Sequence, residues 1–225
     1  MNPSLPFCFL LFLCIKICLA DHDNLQDVCP TDMEAKETIF INGYPCKTPS
    51  TISASDFKTS QVNHPGDTDN FLRSSMNIVT AADFPGLNTL GLSIARTDLD
   101  VDGLILLHSH PRASEVLFVF KGVITAGFLD TQNQLFQRSL QEGDAFIFPH
   151  GLLHFCLNAG YEPAVIFSVL NSQNPGVVAI AGAMFEPEED NVKKMIERIK
   201  SLSASRIDRG EDVTRDTIPN FNSEL

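Results

Sequence analysis

Three histidines and one glutamate are the side chains in this sequence whose types and spacing could bind a metal ion. His108 and His110 are separated by one residue, Glu115 follows five residues after His110, and His154 lies 44 residues beyond His110. Residues two apart on a β-strand point to the same face, so the first two imidazoles should project together. Three imidazoles and a carboxylate, completed by two waters, suit Mn(II) or Fe(II) better than a tetrahedral zinc site, although zinc remains an alternative.

The position of Glu115 requires a break in the strand that carries the two histidines. Its offset from His110 is odd, and a continuous strand would turn it to the opposite face. Pro111 cannot donate to a strand ladder, and the sequence PRAS at 111–114 can form a turn or bulge that resets the register. Glu115 would then face the histidines from the next segment, and His154 would join them from another strand of the same barrel.

Short β-rich runs separated by turn residues supply the elements that must position these side chains. The runs cover residues 88–99, 104–110, 114–120, 123–129, 135–140, 144–148, 152–158 and 164–170. Many short strands at close spacing favour an antiparallel barrel or sandwich. The sequence therefore predicts an all-β domain over residues 71–182.

The H-x-H pattern alone is weak evidence for a metal, because histidines in strands are more often core or surface residues. Inside an apolar barrel, however, each unsatisfied imidazole nitrogen would cost about 1–3 kcal/mol, which favours ligation there. His150 falls in a turn, and His22 and His64 lie in polar segments. We interpret those three as solvated side chains.

The N-terminus has the features of a secretory signal peptide over residues 1–20. An apolar stretch at 5–15 is too short to span a bilayer, and a small residue, Ala20, precedes a polar segment. Export would leave Cys29, Cys46 and Cys156, and in an oxidising compartment two of the three should pair. Cys29 and Cys46 are near neighbours and are the predicted disulfide. Cys156 is interpreted as a buried core residue or, alternatively, as a redox-sensitive thiol close to the metal.

The remaining segments flank the barrel. Residues 21–70 are polar and rich in turn signals, which indicates an N-terminal extension, and residues 183–225 begin with a helical pattern in which Val192, Met195, Ile196 and Ile199 share a face. That face could pack on its own subunit or on a neighbour, and the spacing favours neither. The formal net charge of −12 argues against nucleic acid or an anionic membrane as a partner.

Two motifs resemble the conserved boxes of the cupin superfamily. G-x4-H-x-H-x4-E-x6-G spans Gly103 to Gly122, with Asp102 where a further glycine is usual, and G-x5-P-x4-H-x3-N spans Gly143 to Asn158. The segments 84–99 and 110–116 are similar to plant germins and germin-like proteins. The resemblance implies a single β-jelly-roll barrel with an N-terminal arm and C-terminal α-helices.

The resemblance also implies a cofactor, a location and an assembly. Mn(II) would be held by His108, His110, Glu115 and His154. The protein would be secreted to the apoplast or cell wall, and it would form a homohexamer, a trimer of dimers, in which the C-terminal helices lock subunits together.

Departures from the oxalate-oxidising germins argue against that activity. Residues 105–107 are Ile-Leu-Leu, whereas the resemblance implies Asn-Pro-Pro at these positions in the oxalate-oxidising enzymes. Ala95 stands where the resemblance implies a second active-site asparagine in those enzymes. A small dianion needs polar donors to offset its desolvation, so oxalate oxidation is not expected. Leu106, two residues before His108, is expected to face inward and crowd the site further.

Three functions stay open on the sequence. Superoxide dismutation needs a redox-capable ion and an open coordination position, but no substrate-specific donors. A non-catalytic metal-binding protein of the cell wall, acting in defence, development or storage, needs only the metal. A receptor for a small ligand would exploit an apolar barrel, and the Leu/Ile run at 104–107 favours it.

Overall fold

The computed structural model describes residues 26–35 and 43–179, and ten β-strands account for most of the regular secondary structure there. Three short 3₁₀ turns, Pro49–Thr51, Ala54–Phe57 and Pro85–Leu87, are the helical elements of this part of the chain. The strands are β1 (Ser74–Val79), β2 (Ser93–Leu99), β3 (Leu104–Ser109), β4 (Glu115–Lys121), β5 (Val123–Leu129), β6 (Leu135–Gln141), β7 (Ala145–Phe148), β8 (His154–Asn158), β9 (Ala164–Leu170) and β10 (Val178–Ala179).

The strands form two five-stranded sheets in which every pair is antiparallel. One sheet has the order β1-β2-β9-β4-β7 and the other has the order β10-β3-β8-β5-β6. The predicted runs correspond to β2 through β9, whereas β1 and β10 were not among them. The prediction of an all-β fold is confirmed.

Alternation along the strands separates an interior face from an outer face. In β4, Glu115, Leu117 and Val119 are buried, whereas Val116 and Phe118 are exposed. The interior faces of both sheets contribute to one apolar cluster. Its fully buried members include Leu99, Leu117, Val119, Ile124, Phe148 and Ile166. This cluster is the hydrophobic core of the barrel.

Two motif residues outside the predicted ligand set shape the turns around the barrel. Asn158 is buried, and its amide donates to the carbonyl oxygens of Leu99, Asp100 and Glu162 while its own oxygen accepts from the backbone N–H of residue 160. Gly103 is required by close approach, because a Cβ there would lie 2.3 Å from the carbonyl oxygen of residue 73. These positions hold the backbone at the end of the barrel opposite the histidine side chains.

A disulfide between Cys29 and Cys46 is present, as the cysteine spacing predicted. It closes a loop that contains Tyr44. The buried Asn88 side chain holds this loop against the domain, because it accepts a hydrogen bond from the Tyr44 N–H and donates one to the Tyr44 carbonyl oxygen. Residues 1–20 and 183–225, the predicted signal peptide and C-terminal helical segment, lie outside the described residues. Among the described residues, no helix has the length and apolar character that a membrane crossing would require.

Candidate metal centre

The three predicted histidines come together inside the barrel. One ring nitrogen from each of His108, His110 and His154 lies within 4.8 Å of the others, and all three side chains are buried. The ring centroids of His108 and His154 are 4.2 Å apart, because the two residues are direct partners in the β3–β8 ladder. His110 follows β3 directly, and its ring centroid lies 5.2 Å from each of the other two.

Glu115 reaches this cluster from the opposite sheet. It is the first residue of β4, and a turn in which the Ala113 N–H donates to the His110 carbonyl oxygen carries the chain across. One carboxylate oxygen lies 3.2 Å from Nε2 of His110 and 3.4 Å from Nε2 of His154. The side chains of all four predicted site residues therefore lie close together, and both sheets contribute residues to this cluster.

Backbone carbonyl groups determine which nitrogen of each imidazole carries the proton. Nδ1 of His108 donates to the Leu106 carbonyl oxygen at 2.9 Å, Nδ1 of His110 to that of Gly176 at 2.7 Å, and Nδ1 of His154 to that of Leu152 at 2.8 Å. A carbonyl oxygen can only accept, so Nδ1 must be the protonated nitrogen in each ring. The neutral form of each ring then has its lone pair on Nε2.

This arrangement leaves electron pairs facing one another and fits a cation. In neutral rings, the Nε2 lone pairs of His110 and His154 meet the carboxylate of Glu115, and acceptors do not bond acceptors. Nε2 of His154 is moreover a buried polar atom without a hydrogen-bond partner. A proton or a metal ion between these atoms removes the conflict, and histidines that donate Nδ1–H to backbone oxygens are the usual form of metal-ligating imidazoles.

The pKa shifts describe the same balance of charge in the metal-free protein. Burial lowers the pKa of His108 to about 4, with the neighbouring His154 adding to the effect. Burial would raise the pKa of Glu115, but the neighbouring His110, His154 and Ser168 side chains outweigh it and hold that pKa well below its usual range. Burial also lowers the pKa of His110, yet the Glu115 carboxylate outweighs it and the net shift is upward. The centre thus contains one fixed negative charge.

Sequence reasoning missed three groups that support the ligand set. Phe148 stacks on the His154 ring with centroids 4.3 Å apart, the Ser168 hydroxyl hydrogen-bonds the Glu115 carboxylate, and the Gly176 carbonyl orients His110. Ser168 carried a usable signal, since it is the one polar residue in the apolar run AVIFSVL. Nothing in the local pattern marks Gly176, whose contact with His110 spans 66 residues.

The wall beside the histidines is apolar. A register shift between Ile105 and His108 breaks the alternation of β3, and Ile105, paired with Cys156, packs against the apolar core. The inward orientation of Leu106 was predicted from strict alternation of side chains along the strand. That alternation does not hold over this stretch. Ala95 is buried beside Ala113 and Leu170, so no carboxamide is present at that position either.

Cys156 lies on the interior face of β8, within the apolar cluster. Burial raises the pKa of its thiol well above the ordinary range. A thiol that does not ionise is a poor nucleophile, so the structure favours the core-filling interpretation. His150 and His64 are exposed, in agreement with their interpretation as solvated residues.

Comparison with known proteins places this geometry in a family. The Cupin family matches residues 60–198. The germin-like protein subfamily 3 member 4 of Arabidopsis thaliana is 51% identical over 208 residues, covering 92% of this chain and 99% of that protein. The germin-like protein 11-1 of Oryza sativa subsp. japonica is 53% identical over 92% of this chain and 94% of that protein.

Solved structures give the same result at the level of the fold. A recombinant oxalate oxidase in complex with glycolate matches with a TM-score of 0.73 and 33% identity, over 84% of this chain and 98% of that one. Peruvianin-I, described as a cysteine peptidase from Thevetia peruviana latex, matches with a TM-score of 0.65 and 41% identity, over 70% of this chain and 96% of that one. This chain therefore belongs to the germin-like proteins of the cupin family.

Proposed function

We propose that this protein is a secreted, manganese-binding germin-like protein whose metal is held by His108, His110, Glu115 and His154. The observation that carries the proposal is the convergence of three Nδ1-protonated imidazoles and one carboxylate on a buried point where the Nε2 of His154 has no hydrogen-bond partner. A divalent cation satisfies all four groups at once, because each offers it a lone pair.

Manganese is proposed over zinc because of the donor set. Three nitrogens and one oxygen leave room for two further ligands in an octahedron, which suits Mn(II), whereas structural zinc prefers four tetrahedral ligands rich in sulfur. The free cysteine of the described residues, Cys156, is buried with a raised thiol pKa and does not supply a thiolate. The similarity to an oxalate oxidase of 33% identity is consistent with this proposal.

Superoxide dismutation is the activity that this centre supports best. Bound manganese would supply one-electron redox chemistry. The residues of the chain hold Nε2 of each imidazole free, keep the Glu115 carboxylate ionised, and surround the site with apolar side chains that exclude bulk water. This reaction needs no donor that recognises a particular organic substrate, so Ile105 and Ala95 do not obstruct it.

The activities in the names of two relatives are not proposed for this chain. Oxalate oxidation lacks support, since Ile105 packs into the apolar core and Ala95 lies in an apolar cluster, where polar donors would be needed. A peptidase with a cysteine nucleophile also lacks support, because Cys156 is buried and its thiol pKa is raised.

Secretion to the apoplast or cell wall, with a role in defence or development, completes the proposal. The disulfide between Cys29 and Cys46 supports it, since such bonds persist in oxidising compartments. We assign residues 1–20 to the signal peptide, 21–70 to the N-terminal extension, 71–182 to the barrel and 183–225 to a helical segment.

A homohexamer, assembled as a trimer of dimers, is part of the same proposal. On the outer face of the sheet that carries β4, Ile147, Val116 and Val169 are neighbours across three strands and remain 61%, 46% and 47% exposed. An apolar row of this kind on a soluble domain favours burial against another subunit. Light scattering coupled to size-exclusion chromatography measures the assembly directly.

The second candidate is a non-catalytic cupin that stores or binds a small ligand, and the apolar wall formed around Ile105 favours it. Such a protein would gain thermal stability from a small apolar ligand without any turnover, because binding only the native state raises its apparent stability.

The deciding experiment compares wild type with His154→Ala and His150→Ala. We expect the wild type and His150→Ala to bind Mn(II) and to dismute superoxide, and His154→Ala to lose both, because His150 is an exposed turn residue four positions away. Manganese binding without dismutation would establish the non-catalytic alternative. Failure of the wild type to bind Mn(II) would overturn the proposal.

A further inference from the structure

The turn that joins His110 to Glu115 is attached along its length to a second segment, residues 171–176, which leads from β9 to β10. At one end, the Ser114 N–H donates to the Asn171 side-chain oxygen at 2.7 Å, and the Asn171 N–H donates to the Ser114 carbonyl oxygen at 3.2 Å. The turn carries a ligand at each end, so the geometry of both ligands depends on this attachment.

Arg112 makes the attachment at the other end. Its Nε donates to the Asn174 carbonyl oxygen at 2.6 Å, and one terminal nitrogen donates to the Asn174 side-chain oxygen at 2.9 Å. The Arg112 backbone N–H also donates to the Pro175 carbonyl oxygen at 3.2 Å. Arg112 and Asn174 are both exposed, so burial of apolar surface does not account for their pairing. We call this pair the Arg112–Asn174 latch.

The latch lies directly beside the group that orients His110. Gly176, two residues beyond Asn174, provides the carbonyl oxygen that accepts from Nδ1 of His110 at 2.7 Å. Its φ of +70° suits glycine, and a Cβ at this position would lie 2.8 Å from the Arg112 guanidinium. The guanidinium thus lies against the backbone whose carbonyl position sets the rotation of the His110 ring.

We propose that Arg112 and Asn174 are positioning residues for the metal centre, acting through the Gly176 carbonyl on His110. The inference rests on the proposed metal-binding function, since its main readout is affinity for Mn(II). The planar guanidinium fork bonds the backbone and the side chain of Asn174 together, and a lysine ammonium cannot reproduce that geometry. Partners of this kind around metal ligands change affinity by roughly 10-fold to 100-fold when they are removed.

The test compares Mn(II) affinity in five full-length proteins. Arg112→Ala and Asn174→Ala remove the latch, Asn174→Asp keeps the accepting oxygen, and Arg138→Ala removes the charge of an exposed arginine on β6 as a matched control. Relative to wild type, the two latch-removing variants should bind Mn(II) about 10-fold to 100-fold more weakly, with an altered electron paramagnetic resonance fine structure. Asn174→Asp and Arg138→Ala should remain within about threefold of wild type and keep its spectrum, a pattern that general destabilisation does not produce.

A second measurement separates failure of this inference from failure of the proposed function. Hydrogen exchange of the metal-free proteins should be faster in residues 110–115 and 173–177 of Arg112→Ala, and unchanged there in Arg138→Ala. If wild type does not bind Mn(II), the proposed function is wrong, and unchanged exchange in Arg112→Ala would overturn the latch as well. If wild type binds Mn(II) and Arg112→Ala binds it equally well with the same spectrum, only the latch is wrong.

Discussion

At the scale of single residues, the chemistry of the site is set by how each imidazole is hydrogen-bonded. Three carbonyl oxygens accept from three Nδ1 atoms, and this fixes the tautomer that leaves Nε2 available. Glu115 provides the one carboxylate, with Ser168 holding it and Phe148 stacking on His154. Supporting groups of this kind strengthen metal binding, because they restrict ring rotation before any metal binds.

Cys156 provides a prediction at this scale. Burial keeps its thiol protonated, so it should not react with a thiol reagent in the native protein at pH 8–9. Reaction should appear only when guanidinium unfolds the chain, and it should follow the unfolding transition. Thiol titration with and without guanidinium measures this, and Cys156→Ala is the control. Rapid modification of the folded protein would instead support a reactive thiol beside the metal.

Acidification provides a second prediction, because protons compete with the metal for the imidazoles. In the metal-free protein the pKa of His110 is raised, so its contribution to stability is fully present below the unfolded value of about 6.5 and is lost as the pH rises through the folded pKa. Metal binding has the opposite sign, since the bound form requires neutral rings. His108, with a pKa of about 4, is already neutral at pH 5. The thermal stabilisation given by a fixed Mn(II) concentration should therefore increase from pH 5 to pH 8. A shift that is independent of pH would contradict this assignment.

At the scale of elements, the site depends on where strands begin and where their alternation breaks. The register shift in β3 lets Ile105 and His108 both align with interior residues of β8, although three positions separate them. The turn at 110–114 ends one strand and begins β4 in the opposite sheet, which brings Glu115 to face His110. A regular strand through this region would have separated the ligands.

A leucine-to-alanine substitution should lower the free energy of unfolding by different amounts on the two faces of the strands. Leu117 of β4 is 1% exposed and packs in the central cluster, so Leu117→Ala should lower the free energy of unfolding by about 2–5 kcal/mol. Leu135 of β6 is 46% exposed, and Leu135→Ala should cost less than about 1 kcal/mol. Guanidinium unfolding of both variants measures the difference. Equal losses would mean that β6 is covered or that β4 is not central to the core.

At the scale of the whole molecule, the disulfide loop is joined to the barrel by hydrogen bonds from both sides. The Thr31 N–H donates to the Pro85 carbonyl oxygen, and the Asn88 side chain holds Tyr44. The disulfide thus restrains a segment that the two sheets do not include. The disulfide should therefore stabilise the folded state measurably.

Removing the disulfide tests that statement. The cysteines are 17 positions apart, and closing a loop of that size stabilises the folded state by roughly 3 kcal/mol in the chain-entropy account. The double variant Cys29→Ser, Cys46→Ser should be destabilised by about this amount, measured by guanidinium unfolding. A reductant should lower the stability of wild type and leave the double variant unchanged. If reduction leaves wild type equally stable, the loop contributes little.

Much of the architecture was predictable because it depends on local pattern. All eight runs proposed as strands correspond to β2 through β9, since alternation and turn residues act over a few positions. The β1 strand, SSMNIV, was not predicted because it follows a polar segment, and β10 was not predicted because it has only two residues. The inward position of Leu106 was expected from alternation alone, and the register shift in β3 removes the basis for that expectation.

The sequence by itself determined the donor atoms of this protein, because the types and spacing of His108, His110, Glu115 and His154 are local facts, and it determined that the chain would be built from short strands around an apolar interior. The tertiary structure decided what those donors can do. The tautomers depend on carbonyl groups such as that of Gly176, and the attachment of the His110–Glu115 turn depends on Asn171 and Asn174. Such contacts join residues about 60 positions apart, and hydrogen bonds of that range form only when strands distant in the sequence are brought together by the fold.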